Sequence, residues 1–553
     1  MAKHYDVILV HPPSFPYFRE VPTLPGPIDR TVPNYTYLFI MFPVGLLSIA
    51  SYLNEHGVKV RIFNLAERLL TNKNFKLDHF FEQIKADLIG IDMHWSVHSM
   101  GAIECARIAK QIQPDSIVFL GGLTATVFAE EIVRSFEFVD AVVRGEGEKP
   151  ILALAQNLQK FKKTEAFAKT PSITYRERDG RTVSTPIHEL FTSLDELNFT
   201  RFDLVEPFER TLTSPFTGDM LWNIPITRGC VLNCAGCGGS RTSYRVLLDR
   251  TLPAFRSPKK IFEDLLVLDK MGVKSVFLFQ DPRLGGNKYV DELLSTLKDG
   301  NWSHIKNIGL ELFWPAKRDY LERLVKSRMA DYIGLSISPE SGNDFVRKAH
   351  GRHYDTTSLI RTVDDCVELG IPIGVFFLIA LGHESHETIR ETWDLWEKLL
   401  SKNKGNHMGK VSVDFGPMVL LDPGSPAFYE PDKYGYKILF RSIKDYYHSL
   451  KIPHWKHWIN YETMYFDKFG VGRLILDCWE ALSTIKWKLG QLTDREYELD
   501  SLRVRFERTV YEKIDQVLTR QPDEIIETCK ELVAVSRDPF LTWSYLATEE
   551  AAS

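Results

Sequence analysis

The sequence predicts an α/β protein built from a doubly wound parallel-sheet domain, a full or partial (β/α) barrel, and a mainly helical C-terminal region. Three observations carry that expectation. Short apolar runs alternate with helix-period segments over residues 1–160, the pattern of a parallel sheet covered on both faces. The same alternation resumes over 216–430 and stops in 431–553, where long helical stretches follow. The length, 553 residues, suits several domains of ~100–200 residues each.

In the first domain the apolar runs are 7–10, 58–63, 88–91, 117–120 and 141–143, with helices expected at 43–56, 101–113, 128–135 and 150–159. Pro43 suits a first helical turn and Gly57 a left-handed stop. Ligands of such a sheet sit outside the carboxyl ends of the strands. The loops there are His11-Pro12-Pro13, residues 64–68, residues 92–99, Gly121-Gly122-Leu123-Thr124 and Arg144-Gly145-Glu146-Gly147-Glu148. Glycines in the last two let the backbone approach a ligand closely. No Gly-x-Gly-x-x-Gly follows the first strand, which disfavours a dinucleotide.

Residues 161–215 read as a structured linker, with a hairpin turning at Asp179-Gly180. In the second domain strands are expected at 275–279, 308–312, 332–337, 373–380 and 411–415. Their carboxyl ends carry Gln280-Asp281, Glu311, Glu340-Ser341-Gly342 and Gly382-His383-Glu384, where barrel chemistry sits. In the last region Thr493 and Glu496 read as a capping box. The aromatics Tyr446, Tyr447, Trp455, Trp458, Tyr461, Tyr465 and Phe466 suit either a packed helical lid or an apolar substrate pocket. Tyr35, Tyr37, Phe39 and Phe42 could face the same cavity.

Hydrophobic residues make up 44% and charged residues 25%, an ordinary globular balance that excludes a disordered, collagen-like or disulfide-scaffold protein. A net charge of −5 gives no reason to expect nucleic-acid binding. The longest apolar run, 38–50, is short of the ~20 residues of a membrane span and is interrupted by Pro43 and Gly45. The expectation is a cytoplasmic protein without a transmembrane segment, with peripheral membrane contact still compatible. Its seven cysteines do not form a secreted disulfide pattern. Cys105, Cys366, Cys478 and Cys529 are scattered and read as small buried hydrophobes.

The other three, Cys230, Cys234 and Cys237, stand in Thr227-Arg228-Gly229-Cys230-Val231-Leu232-Asn233-Cys234-Ala235-Gly236-Cys237-Gly238-Gly239-Ser240. Three thiolates on one loop can hold three irons of a cubane cluster, leaving the fourth iron for an exogenous ligand. Zinc is the rival reading, but it would ordinarily want a fourth Cys or His nearby.

The Cys-x3-Cys-x2-Cys run is identified as the signature of the radical SAM superfamily. The resemblance implies a [4Fe-4S] cluster on Cys230, Cys234 and Cys237, with S-adenosylmethionine (SAM) on the open iron. It places Gln280, Asp281, Glu340, Ser341 and Gly382 around SAM. Residues 5–160 resemble the cobalamin-binding domain at the front of class B radical SAM enzymes. In that resemblance Gly121, Gly122 and Thr124 flank the nucleotide tail, Asp92, His94 and Ser96 line it, and Gly145, Glu146, Gly147 and Glu148 close the cavity. His11 and Pro12 border the site, and Arg68 could approach the lower face of the corrin. The Asp-x-His-x-x-Gly motif of many cobalamin domains does not follow the first strand, so no histidine lower ligand is expected from it.

The function so implied is a cobalamin-dependent radical SAM methyltransferase, acting on an unactivated carbon through a 5′-deoxyadenosyl radical and methylcobalamin. A cyclase or rearranging enzyme with the same cofactors is the alternative, and a cobalamin or iron–sulfur sensor a remote one. The expected partners are a small-molecule or lipid-like substrate and an electron donor such as flavodoxin or ferredoxin.

Overall fold

The computed structural model describes residues 3–17, 24, 26, 42–188, 190–208, 212–213, 219–403, 410–417 and 421–518. Tyr35, Tyr37, Phe39 and Cys529 lie outside them. The first sheet has eight strands: β1 (Lys3–His11), β2 (Val60–Asn64), β3 (Ile84–Asp92), β4 (Ile117–Gly121), β5 (Ala141–Val143), β6 (Ile173–Arg176), β7 (Thr182–Ser184) and β8 (Val205–Glu206). Their order is β7-β6-β5-β4-β3-β1-β2-β8. The pairs among β1–β5 are parallel. The winding reverses at β1, which lies between β2 and β3, so a crevice opens where their carboxyl ends diverge. Val7, Ile8, Leu9 and Val10 are all buried, as a strand covered on both faces requires.

Two features differ from expectation. Residues 161–215 contribute strands to the first sheet, beyond acting as a linker. The hairpin β6–β7 pairs antiparallel with β5, and β8 pairs with β2. Both edges of the parallel sheet thereby gain backbone partners, and Ile173 and Tyr175 are buried. The helix expected at 128–135 is preceded by another. Gly122, at φ +108°, turns the chain directly out of β4 into Leu123–Val127, and Ala129–Ser135 follows after Phe128.

The second sheet is parallel throughout. Its strands are β9 (Leu221–Pro225), β12 (Ser275–Phe279), β13 (Asn307–Leu312), β14 (Tyr332–Glu340), β15 (Ile373–Ile379) and β16 (Val411–Pro417), paired in that order. β9 is an extra strand that the sequence did not signal. No pairing joins β16 to β9 among the described residues, so the unit is an open, partial barrel. Between β9 and β12 lie the short antiparallel pair β10 (Thr227–Arg228) and β11 (Ala254–Phe255).

The C-terminal helices Lys468–Lys488 and Asp494–Leu518 follow a short antiparallel pair, β17 (Tyr436–Ile438) and β18 (Tyr461–Thr463). The Thr493–Glu496 capping box forms: Glu496 N–H donates to Thr493 Oγ1 at 3.2 Å, and Thr493 N–H donates to Glu496 Oε2 at 2.7 Å. The aromatic segment is mostly core. Tyr446, Trp455, Trp458 and Tyr461 are fully buried. Phe15 of the first domain stacks on Trp458 at 4.8 Å, and Tyr447 donates to Glu104. No helix among the described residues is long and apolar enough to cross a membrane.

Candidate functional site

The three cysteines lie on the loop between β10 and the helix Arg241–Leu248, whose first turn is capped by Ser240 Oγ accepting from Ser243 N–H at 3.2 Å. Gly229, at φ +104°, turns the chain from β10 into the loop. Backbone N–H groups already point at sulfur: Leu232 donates to Cys230 Sγ at 3.4 Å and Gly239 to Cys237 Sγ at 3.3 Å. Burial pushes the Cys237 thiol up to about 12 and raises those of Cys230 and Cys234. Thiolates there need a compensating cation. Among the described residues no three His, Cys, Asp or Glu side chains converge tightly enough to hold one metal ion. A single zinc would draw its sulfurs to within about 4 Å of one another. Three thiols on one loop, with no fourth Cys or His beside them in the sequence, are the donor set of a cubane cluster with one iron left open.

Behind the loop stand the carboxyl ends of the barrel strands. Three non-glycine residues there take positive φ: Gln280 (+74°) after β12, Glu340 (+68°) in β14 and Ala380 (+66°) after β15. Strained backbone of this kind persists where the surroundings hold it, and it concentrates at functional sites. Arg352 Nε donates to Glu340 Oε1 at 2.8 Å. The Arg352 guanidinium also pulls all three cysteine thiols toward the thiolate, against burial. Glu311 Oε2 accepts from Gln280 N–H at 2.8 Å, and burial raises its carboxyl.

The other SAM candidates are engaged structurally. Asp281 is fully buried, pairs with Arg283 at 2.6 Å and accepts from Phe313 N–H at 2.8 Å. Ser341 Oγ lies 3.5 Å from Glu384 and accepts from Asn343 N–H. A Cβ at Gly382 would fall 1.9 Å from Tyr434 O, so this glycine serves close packing.

In the first domain a solvent-open cleft enclosing about 170 Å³ lies at the carboxyl ends of β1, β3, β4 and β5. Asp92, His94, Gly121, Gly122, Gly145, Glu146, Gly147 and Glu148, all candidates from the sequence, line it. His11, Pro12, Arg68, Ser96 and Thr124 are not in its lining. His11 stands behind Asp92, its Nδ1 3.1 Å from Asp92 Oδ2, and its buried Nε2 meets no hydrogen-bond partner among the described residues. Thr124 Oγ1 donates to His94 O at 2.9 Å, which holds the β3 and β4 loops together. Ser96 opens a short helical turn, and its carbonyl accepts from Ser99 Oγ. Arg68 pairs with Glu206 at 2.8 Å, over the rings of Phe63 and Phe80.

The same cleft is lined by Arg228, Tyr244 and Leu248 from the second domain. Arg228 precedes Cys230 by two residues, and Tyr244 and Leu248 lie on the helix that follows the cysteine loop. The ring of Tyr244 and the sulfur of Cys237 flank one small-residue gap. A Cβ at Gly239 would lie 3.8 Å from Tyr244 Cε2 and 3.7 Å from Cys237 Sγ.

Comparison with known proteins matches this layout. The family model of the B12 binding domain aligns with residues 31–155, and that of the radical SAM superfamily with residues 224–395. The chain carries a B12-binding domain followed by a radical SAM domain. Their cofactors are cobalamin, a [4Fe-4S] cluster and SAM.

An uncharacterized methyltransferase of Pyrococcus horikoshii is 26% identical over 371 residues, covering 63% of this chain and 72% of that protein. The anaerobic magnesium-protoporphyrin IX monomethyl ester cyclase of Rubrivivax gelatinosus is 24% identical over 374 residues, covering 66% of this chain and 62% of the cyclase. Among solved structures, the radical SAM methyltransferase TsrM of Kitasatospora setae, with cobalamin and a [4Fe-4S] cluster bound, aligns with TM-score 0.59 at 15% identity. That alignment covers 97% of this chain and 100% of TsrM, and it shows a shared fold.

The cleft of the B12-binding domain is largely apolar, and glycines bring its loops into close backbone approach. Gly122 is the sharpest case. A Cβ there would fall 2.7 Å from both Cα and N of His94, at a φ that side chains rarely adopt. Gly122→Ala is therefore expected to weaken cobalamin binding at least ~10-fold, because the loop lining the cleft must shift. Titration of the apoprotein with hydroxocobalamin, followed by absorbance, checks this, and unchanged affinity would move the cofactor elsewhere.

Sequence reasoning did not single out Arg228, Tyr244 or Arg352 as site residues. Arg228 stood within the quoted cysteine run, but no spacing rule linked it to Glu146 and Glu148. Arg352 follows a Gly in a segment without periodicity, and only the tertiary fold brings it to Glu340.

Proposed function

We propose that the protein is a cobalamin-dependent radical SAM methyltransferase acting on an unactivated carbon of a small-molecule or lipid-like substrate. The observation that carries this reading is the shared wall. Residues of the cysteine-bearing segment, Arg228 and Tyr244, line the cobalamin cleft itself. When bound, cobalamin supplies methyl-transfer chemistry and SAM on the cluster supplies a carbon-centred radical. A nucleophilic methyl route cannot serve a carbon that lacks an acidic hydrogen or a lone pair, and the two chemistries together can.

The chain's residues bind, orient and exclude water. Cys230, Cys234 and Cys237 hold the cluster. Arg352 and Glu340 present paired charge beside it, suited to the zwitterionic end of SAM, with Gln280 and Glu311 adjacent. Leu9, Leu46, Ile49, Phe119, Val143 and Ile151 make the cleft largely apolar, which strengthens electrostatic interactions within it. Delivery of electrons falls to a flavodoxin- or ferredoxin-type donor, in the cytoplasm.

The similarity to a cyclase supports a second reading, in which the same cofactors close a ring without methyl transfer. Anaerobic incubation of the loaded, reduced protein with methyl-labelled SAM and cell extract separates the two. A labelled organic product together with 5′-deoxyadenosine is the expected result. Deoxyadenosine with no label outside SAM and its by-products would replace methylation with the cyclase reading.

A further inference from the structure

A buried charge network joins the two domains where their sites meet. Arg228 Nη2 lies 2.7 Å from Glu148 Oε1 and Nη1 lies 3.2 Å from Glu146 Oε2. Arg250 Nε donates to the other oxygen of Glu146 at 2.8 Å, and Arg250 Nη2 donates to Phe191 O at 2.9 Å. The side chains are shielded from water: Glu148 is 2% exposed, Glu146 3%, Arg250 5% and Arg228 17%. Two arginines against two glutamates leave no net charge in the cleft wall. Ser48, on the helix Val44–Glu55, donates to Glu148 Oε1 at 2.7 Å. Three walls of the cobalamin cleft therefore converge on one guanidinium. These are the helix 44–55, the 144–148 loop and the strand leading into the cysteine loop.

The connection to the cluster loop is short and stiff. Only Gly229 separates Arg228 from Cys230, and a Cβ on Gly229 would meet Arg250 Cδ and Pro253 Cα at 3.0 Å. Arg250 thus packs against the very turn that aims the first cluster ligand. A planar fork bridging carboxylates on either side of Gly147 resists rotation better than a point charge would. Burial alone would push the Glu148 carboxyl up, but the adjacent Arg228 holds it below the ordinary carboxylate range, so the pair stays ionised.

We propose that Arg228, clamped by Glu146 and Glu148, is a positioning residue that sets the cobalamin cleft at a fixed distance and angle from the cluster loop. This rests on the reading of the cleft as the cobalamin site. Both proposed chemistries need a radical generated at one cofactor to meet substrate presented at the other. A fraction of an ångström of slack between the sites would cost rate without removing either cofactor.

The test uses the full chain, reconstituted anaerobically with iron, sulfide and hydroxocobalamin and then reduced. The readouts are cobalamin Kd, iron content and the broadening of the cobalt(II) EPR signal by the nearby reduced cluster. Wild-type protein is expected to show that broadening. Arg228→Met should keep its iron but bind cobalamin at least ~10-fold more weakly and lose or change the broadening, because it leaves buried Glu148 without its countercharge and cuts the tie between Glu146 and the strand before Cys230. Arg228→Lys should restore binding in part and the broadening incompletely, since it keeps the charge and loses the fork.

An Arg228→Met protein with affinity within about twofold of wild type and identical broadening would overturn the proposal. So would wild-type protein that binds both cofactors without broadening. If Arg228→Met does not fold, Glu148→Gln, of equal volume, must change the broadening, and its failure to do so overturns the proposal equally. Wild-type protein that binds no cobalamin would instead sink the cofactor reading, and the clamp with it.

Discussion

Replacing Cys230, Cys234 and Cys237 together by alanine is expected to abolish both the broad visible absorbance of an iron–sulfur cluster and all formation of 5′-deoxyadenosine. The cluster's protein ligands are thiolates, and this loop carries three of the described cysteines, with the others buried elsewhere. Burial raises each of the three thiols, so bound irons would be what keeps them ionised. Alanine removes only the sulfur of each side chain and leaves the loop backbone in place. The fold should survive, as judged by circular dichroism and retained cobalamin binding. Residual deoxyadenosine above the background of unloaded protein would mean that SAM is cleaved at some other centre.

Arg352→Met is expected to slow reductive SAM cleavage at least ~100-fold, or ~2.7 kcal/mol, with the three iron ligands still in place. Arg352 is the partner of buried Glu340 and acts on every cysteine of the loop. Its loss leaves Glu340 without its countercharge. Removing one member of a buried pair costs about 3–5 kcal/mol of stability. A lower melting temperature should therefore accompany the loss of activity.

The conservative Arg352→Lys separates the effects. It keeps the charge, so cluster content should hold, while loss of the planar guanidinium, which donates to both Glu340 and Phe313 O, should raise the KM for SAM more than it lowers kcat. Deoxyadenosine formation, measured against SAM concentration with excess dithionite, reads both constants. Unchanged cleavage in Arg352→Met would show that the guanidinium only neutralises Glu340 and takes no part in the SAM site.

What could be read from the sequence, and what could not, divides along sequence separation. The cysteine run was legible because its ligands fall on one loop, where spacing maps onto geometry. The Gly121-Gly122 pair was legible for the same reason, and the +108° φ of Gly122 is a conformation suited to glycine. The alternation of apolar runs gave two parallel sheets and located their carboxyl ends. It missed β9, whose Leu221-Trp222-Asn223-Ile224-Pro225 is short and carries an Asn and a Pro.

The residual errors are tertiary. The hairpin at 173–184 was expected, but nothing in it says that it will extend the sheet beside β5. Glu146 and Glu148 were expected to close the cobalamin cavity. They do line it, but their carboxylates are turned onto Arg228 and Arg250, 80 or more residues away in the chain. Arg68 was placed beside the corrin by its position after β2, yet Glu206 of the later β8 holds it over Phe63 and Phe80. The aromatic segment after 440 could have lined a pocket or filled a core. Burial of Trp455, Trp458 and Tyr461 shows that these rings are packing.

The proposed function requires one loop of three sulfurs to carry an iron cube with an open corner, beside a cobalamin cleft. Mössbauer spectroscopy of protein reconstituted with iron-57 and purified without oxygen tests it most directly. About four irons per chain are expected, with the quadrupole doublet of a diamagnetic cubane that changes in part when SAM is added, since only one iron gains a ligand. Iron that stays mononuclear, or a cubane spectrum indifferent to SAM, would contradict it.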